Sequence, residues 1–154
     1  MELREPLTER SQKFVLIILA LSSFMASLDT TIVNISLPAI AESFQVPINT
    51  ISWVSMIYLL VLSGFLLVFG KLGDMKGFRR IFIGGFAVFT LGSFFCGYAT
   101  SIETLIGSRF IQGIGAAALE AIGPAMVVIY LKKETRGRDL GILATVISLG
   151  IAAG

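Results

Sequence analysis

Gly70-Lys71-Leu72-Gly73-Asp74-Met75-Lys76-Gly77-Phe78-Arg79-Arg80 sets four basic residues and one acid between two long apolar runs. A Lys/Arg excess at the end of a hydrophobic span marks the cytoplasmic side of a bilayer, and glycines permit the tight reversal two adjacent helices need. The composition around this stretch agrees. Of 154 residues, 55% are apolar and only 14% charged, with a mean hydropathy of +0.89, well outside ordinary soluble composition. The formal net charge of +2 comes from basic residues that flank apolar runs, so they read as topology determinants and not as nucleic-acid contacts. Cys96 is the lone cysteine, which excludes an intrachain disulfide. There is no histidine and no cluster with metal-ligand spacing, so the sequence implies no metal or cofactor.

Crossing a hydrocarbon core of about 30 Å takes about 20 helical residues. Four segments meet that length, approximately 14–39, 50–70, 81–99 and 104–131, and a fifth, 140–154, is too short to cross comfortably. The reading is an all-α membrane protein: a short tail over 1–13, then a partial transmembrane bundle over 14–154 that ends inside a helix, with the lipid bilayer as its surroundings. Basic residues fall at alternate connections. Arg4, Arg10 and Lys13 precede the first span, Lys71, Lys76, Arg79 and Arg80 follow the second, and Lys132, Lys133, Arg136 and Arg138 follow the fourth. The connections around 42–49 and 98–103 contain neither Lys nor Arg, which places the amino terminus in the cytoplasm of a multi-pass cell-membrane protein. A cleaved signal peptide fits less well, because the run from Phe14 is longer than a signal core.

Three charges lie within the spans: Asp29 in the first, Arg109 and Glu120 in the fourth. A charge at mid-membrane costs about 2.5 to 3.5 kcal/mol on insertion scales, so it faces a partner or a water-filled cavity. At 1.5 Å per residue, Asp29 lies about 22 Å from the inner end of its helix and Arg109 about 7 Å inside the outer end of its own. These depths nearly coincide, so the two can form an intramembrane ion pair, either a fixed tie between helices or one that alternately closes and releases. Glu120 follows Arg109 by eleven residues, about 20° off eclipsed and about 16 Å deeper. Gln112 and Gly113 share its stripe, while Thr30 and Asn34 lie beside Asp29, making both helices half polar; all four are candidates for lining a cavity. Close helix packing through small residues such as Gly113 is the plainer explanation of part of this pattern.

Three motifs resemble those of the major facilitator superfamily of secondary transporters, most closely its fourteen-helix multidrug:proton antiporter branch. The opening stretch is similar to the loop pattern G-x-L-a-D-r-x-G-r-k at Gly70, Leu72, Asp74, Gly77 and Arg79, and departs from it at Gly73, Met75 and Phe78. Leu28-Asp29-Thr30-Thr31-Ile32-Val33-Asn34-Ile35-Ser36-Leu37-Pro38 resembles the first-helix signature of drug exporters, with Ser36 in place of alanine. Arg109-Phe110-Ile111-Gln112-Gly113-Ile114-Gly115-Ala116-Ala117 resembles the fourth-helix R-x-x-Q-G-x-G-a-A pattern.

The resemblance implies proton-coupled efflux of drugs or other small hydrophobic compounds by alternating access, with protons and a small-molecule substrate as partners of a longer protein. This chain would be its amino-terminal fragment, inactive without the missing carboxy-terminal helices. Asp29 and Arg109 would couple or gate proton movement; Glu120 lies outside the motif and rests on geometry alone. Gly70, Asp74, Gly77, Arg79 and Arg80 would form a cytoplasmic latch. The alternatives are a tetraspan accessory protein and a proton- or sodium-coupled nutrient symporter. An enzyme is disfavoured: no nucleophile, base and orienting group converge, and Gly113-Ile114-Gly115 lacks the strand and lysine of a phosphate loop.

Overall fold

The computed structural model describes residues 8–154, so Arg4 and the rest of 1–7 lie outside the described residues. Five helices follow one another: α1 (Glu9–Phe44), α2 (Ile48–Lys76), α3 (Phe78–Gly97), α4 (Ile102–Tyr130) and α5 (Arg136–Ala153). The first four are long and apolar enough to cross a membrane.

The helices run past the apolar windows at most ends, because a window measures what hydrocarbon accepts, whereas a helix stops where its backbone bonds are redirected. α1 stops where Gln45 adopts a left-handed φ of 54° and Val46 N–H turns back to the carbonyl of Ala41 at 3.0 Å. α4 starts at a reciprocal cap: Ser101 Oγ accepts from the Thr104 N–H, and Thr104 Oγ1 accepts from the Ser101 N–H. The expected Gly70–Arg80 hinge is narrower than its glycines suggested. α2 continues through Gly70 and Gly73 to Lys76, and the reversal falls on Gly77 alone, at φ 94°, a conformation that side chains rarely adopt.

α4 is the central helix, flanked closely by α2 and α3, while α1 packs chiefly on α5. Missing side chains set these close approaches. A Cβ on Gly92 of α3 would lie 2.6 Å from the Gln112 backbone, and one on Gly85 would lie 2.5 Å from Ala118 Cβ. Gly115 answers from α4 by lying against the Phe89 backbone. On the other side of α4, a Cβ on Gly113 would meet the Tyr58 carbonyl of α2 at 3.0 Å. Gly150 on α5 sits equally close to the Phe24 carbonyl of α1. With no hydrophobic force between helices inside lipid, such backbone proximity and dispersion hold the bundle. Large apolar residues such as Leu60, Leu67 and Phe94 stay exposed, as lipid-facing positions do.

Candidate functional site

Helical spacing puts Arg109 and Gln112 one turn apart on α4, and α1 lays Asp29 against both. Arg109 donates from one terminal guanidinium nitrogen to Asp29 Oδ2 at 2.6 Å and to Gln112 Oε1 at 2.6 Å. Gln112 closes the triangle, donating through Nε2 to Asp29 Oδ1 at 2.9 Å. The Cys96 thiol of α3 also reaches Gln112 Oε1, at 3.5 Å. The Tyr58 ring of α2 lies 4.9 Å from the Arg109 guanidinium carbon, within range of a cation–π contact. Four helices therefore meet at one polar centre.

Accessibility divides the pair. The Arg109 side chain is only 2% exposed and Asp29 18% exposed, so the carboxylate is the more open member of the pair, and it is also the member able to take up a proton, because a guanidinium has no acceptor. Arg109 Nε is buried with no hydrogen-bond partner among the described residues. That orphan donor makes the cation more dependent on Asp29 and Gln112, since a buried charge without partners is expensive.

The expected meeting of Asp29 and Arg109 at one depth is thus what the structure contains. Gln112, read as lining a cavity, is instead fully buried as the bridge between them. Gly113 is buried against α2, where it serves close packing. Thr30 returns its hydroxyl to the Ala26 carbonyl at 3.0 Å, while exposed Asn34 accepts from Ser55 Oγ of α2 at 2.5 Å. Tyr58, Cys96 and Ser55 were not singled out as site residues from the sequence. Tyr58 had a readable signal: it is a tyrosine placed well inside a span, away from the interface where that residue usually sits.

Glu120 does not join the network. It is exposed on a cavity of about 360 Å³ between α1, α4 and α5, and makes no ion pair or hydrogen bond among the described residues. In the Gly70–Arg80 stretch, Asp74 and Arg79 are both exposed and form no ion pair with each other or with any described residue. The polar connection at this end is elsewhere. Lys132 Nζ, just after α4, binds Glu9 Oε1 at the start of α1 at 2.8 Å, and the hydrogen bond to that carboxylate raises the Lys132 pKa above its ordinary value.

Apolar spanning helices around a buried Asp–Arg–Gln centre define a polytopic helical bundle of the transporter type. The Major Facilitator Superfamily profile matches residues 19–154, and the chain belongs to that family, whose members are transporters and not enzymes. Among curated relatives, the chain is 40% identical over 140 residues to the riboflavin transporter RibZ of Clostridioides difficile, covering 91% of the chain and 31% of the relative. It is 38% identical to the multidrug resistance protein Stp of Mycobacterium tuberculosis (strain ATCC 25618 / H37Rv), over 94% of the chain and 27% of the relative. It is 36% identical to the methylenomycin A resistance protein of Bacillus subtilis, over 91% of the chain and 30% of the relative. The chain thus spans about a third or less of the length of these relatives.

Proposed function

We propose that the chain forms the first part of a cell-membrane secondary transporter that exports small hydrophobic or drug-like compounds, with proton movement coupled through Asp29. The observation that carries this reading is the burial asymmetry of the Asp29–Arg109–Gln112 triangle. Protonating Asp29 removes the charge that Arg109 Nη1 binds, and an acid group is a poorer acceptor than a carboxylate. α1 is then free to shift against α4. Arg109, held by Gln112 and Tyr58, keeps its charge and is available to restore the pair once the proton leaves. Alternating access uses this: a midplane site opens to one side and then to the other as helical bundles rock.

The names of the two resistance relatives support a drug substrate; that of the riboflavin transporter favours a second reading, movement of a planar nutrient through the same coupling centre. The partners in either case are protons, a small molecule and the helices of a second bundle. The deciding experiment measures substrate movement by the native polypeptide in energised vesicles, with a drug panel and riboflavin run in parallel. Asp29→Asn at normal membrane abundance is expected to lose proton-driven accumulation in either direction while retaining downhill exchange. Undiminished coupling in Asp29→Asn removes Asp29 from the mechanism.

A further inference from the structure

Among the described residues, three buried side-chain polar atoms have no hydrogen-bond partner, and two of them, Tyr58 Oη and Arg109 Nε, belong to side chains that lie against each other at the Asp29 centre. Nearly all buried polar groups are bonded, so each exception has to be explained. A phenylalanine at position 58 would place the same ring 4.9 Å from the Arg109 guanidinium carbon without burying an idle hydroxyl. The ring alone therefore does not account for the tyrosine. The Thr30 side chain of α1 comes near that hydroxyl without completing a hydrogen bond, and gives its own proton to the Ala26 carbonyl at 3.0 Å. Its oxygen keeps lone pairs able to accept.

Protonation of Asp29 changes what Arg109 needs. While the carboxylate is charged, Nη1 serves both Asp29 Oδ2 and Gln112 Oε1 at 2.6 Å. Once Asp29 is a neutral acid it accepts more weakly, and the guanidinium is left buried and charged with Gln112 and the face of Tyr58. Turning toward the hydroxyl edge of that ring lets an Arg109 N–H donate to Tyr58 Oη. The Tyr58 O–H then donates to Thr30 Oγ1, and Thr30 continues to donate to the Ala26 carbonyl. These bonds all run one way, from a cation to a backbone carbonyl, so each hydroxyl both donates and accepts.

We propose that Tyr58 is a positioning residue that receives Arg109 when Asp29 is protonated, its hydroxyl replacing the carboxylate as acceptor. The idle hydroxyl raises the energy of the charged state and the new bond lowers that of the protonated one, so both narrow the gap a proton must close. α1 then shifts against α4 without leaving a buried cation short of acceptors. The titratable groups at this centre are Asp29 of α1, Arg109 of α4, Tyr58 of α2 and the Cys96 thiol of α3. Glu120 of α4 faces the neighbouring cavity, and α5 carries no charge after Asp139.

The inference rests on the coupling reading of Asp29, so a spectroscopic test that needs no transport accompanies the transport test. Infrared difference spectra between alkaline and acid pH are recorded on the native polypeptide in lipid nanodiscs, with ring-deuterated tyrosine to mark the tyrosine bands. Wild type is expected to show a tyrosine C–O band that moves on acidification as an idle hydroxyl becomes bonded, and Tyr58→Phe to lack it. Asp29→Asn, neutral at every pH, is expected to show the bonded band throughout, and Glu120→Gln to behave as wild type. In energised vesicles the pH profile of proton-driven transport by Tyr58→Phe is expected to move toward acid by about one pH unit or more, a tenfold effect or larger, as loss of a hydrogen bond to a charged group implies. Its thermal stability at alkaline pH is expected to equal or exceed that of wild type, which a merely structural hydroxyl would not allow. Thr30→Val, expected to move the profile the same way by less, decides the matter should Tyr58→Phe fail to fold. An unmoved profile overturns the proposal, as does lower stability of Tyr58→Phe at alkaline pH. So does a tyrosine band that ignores pH, the result if buried water already holds the hydroxyl, or one that still titrates in Asp29→Asn. A band that titrates as expected beside undiminished coupling in Asp29→Asn keeps the Tyr58 assignment and sinks the transport reading alone.

Discussion

Asp29, Gln112 and Arg109 depend on one another because each is the partner that makes burial of the others tolerable. Gln112→Leu removes an acceptor from the Arg109 guanidinium and a donor from Asp29. It is expected to lower stability by about 1–3 kcal/mol, the range for leaving a buried polar group unsatisfied. Thermal unfolding of the purified protein in detergent, with Gln112→Asn for comparison, checks this. Arg109→Lys is expected to behave almost as badly as Arg109→Ala in coupling assays. One guanidinium nitrogen makes both bonds, but a lysine is shorter and lacks the planar, weakly hydrated face that lies against the Tyr58 ring. Full proton-driven transport in Arg109→Lys would show that charge alone suffices. The Asp29–Arg109 partnership was legible in the sequence, since two opposite charges at equal depth in hydrocarbon have few alternatives. The bridging role of Gln112 was not, because a glutamine beside an arginine fits a cavity wall as well as a buried network until the facing helix is in place.

At the scale of the helix, glycines divide into those that turn the chain and those that let helices touch. Gly92→Ala would drive a methyl into the Gln112 backbone, whereas nothing lies within 4 Å of a Cβ on Gly84. Overpacking of this kind costs about 1–3 kcal/mol. The loss of folded protein after heating, read by size-exclusion chromatography, is therefore expected for Gly92→Ala and not for Gly84→Ala. Gly77→Ala is expected to cost about 1–3 kcal/mol through its backbone conformation, while Gly70→Ala, within α2 and facing open space, is expected to be neutral or mildly stabilising. A neutral Gly77→Ala would mean that the α2–α3 reversal tolerates another backbone path. The sequence announced a turn near these glycines. It did not say which of them turns, because Gly70, Gly73 and Gly77 are chemically identical, and only the folded chain separates Gly77, with its φ of 94°, from Gly73, which packs against Ile122 of α4.

The whole molecule has a basic end, where Lys71, Lys76, Arg79 and Arg80 gather with Lys132 and Arg138, and an opposite end without Lys or Arg. In a background without Cys96, a cysteine at Met75 is expected to react with a membrane-impermeant maleimide only from the cytoplasmic side, and one at Glu103 only from outside. The reverse pattern would invert the topology. The Lys132–Glu9 bridge ties α1 to the connection before α5 at the basic end. Because the Lys132 pKa is raised, its contribution is present at neutral pH and disappears as pH rises through that elevated value. Both partners are exposed, so salt screens the pair, and Lys132→Ala is expected to shift thermal stability only slightly.

The sequence by itself determined the number and order of the helices and which three charges lie within the spans, because hydrocarbon imposes a length and a charge rule on every span independently. Only the tertiary structure decided which helix lies at the centre, which small residues bring backbones together, and that Arg109 is enclosed while Glu120 opens onto a cavity. Those outcomes depend on where neighbouring helices cross, and crossings are set by side chains far apart in the chain meeting across α4. A helical wheel places Arg109 and Glu120 on nearly one stripe. The packing of α1 and α5 on that stripe separates an ion-paired centre from an open carboxylate.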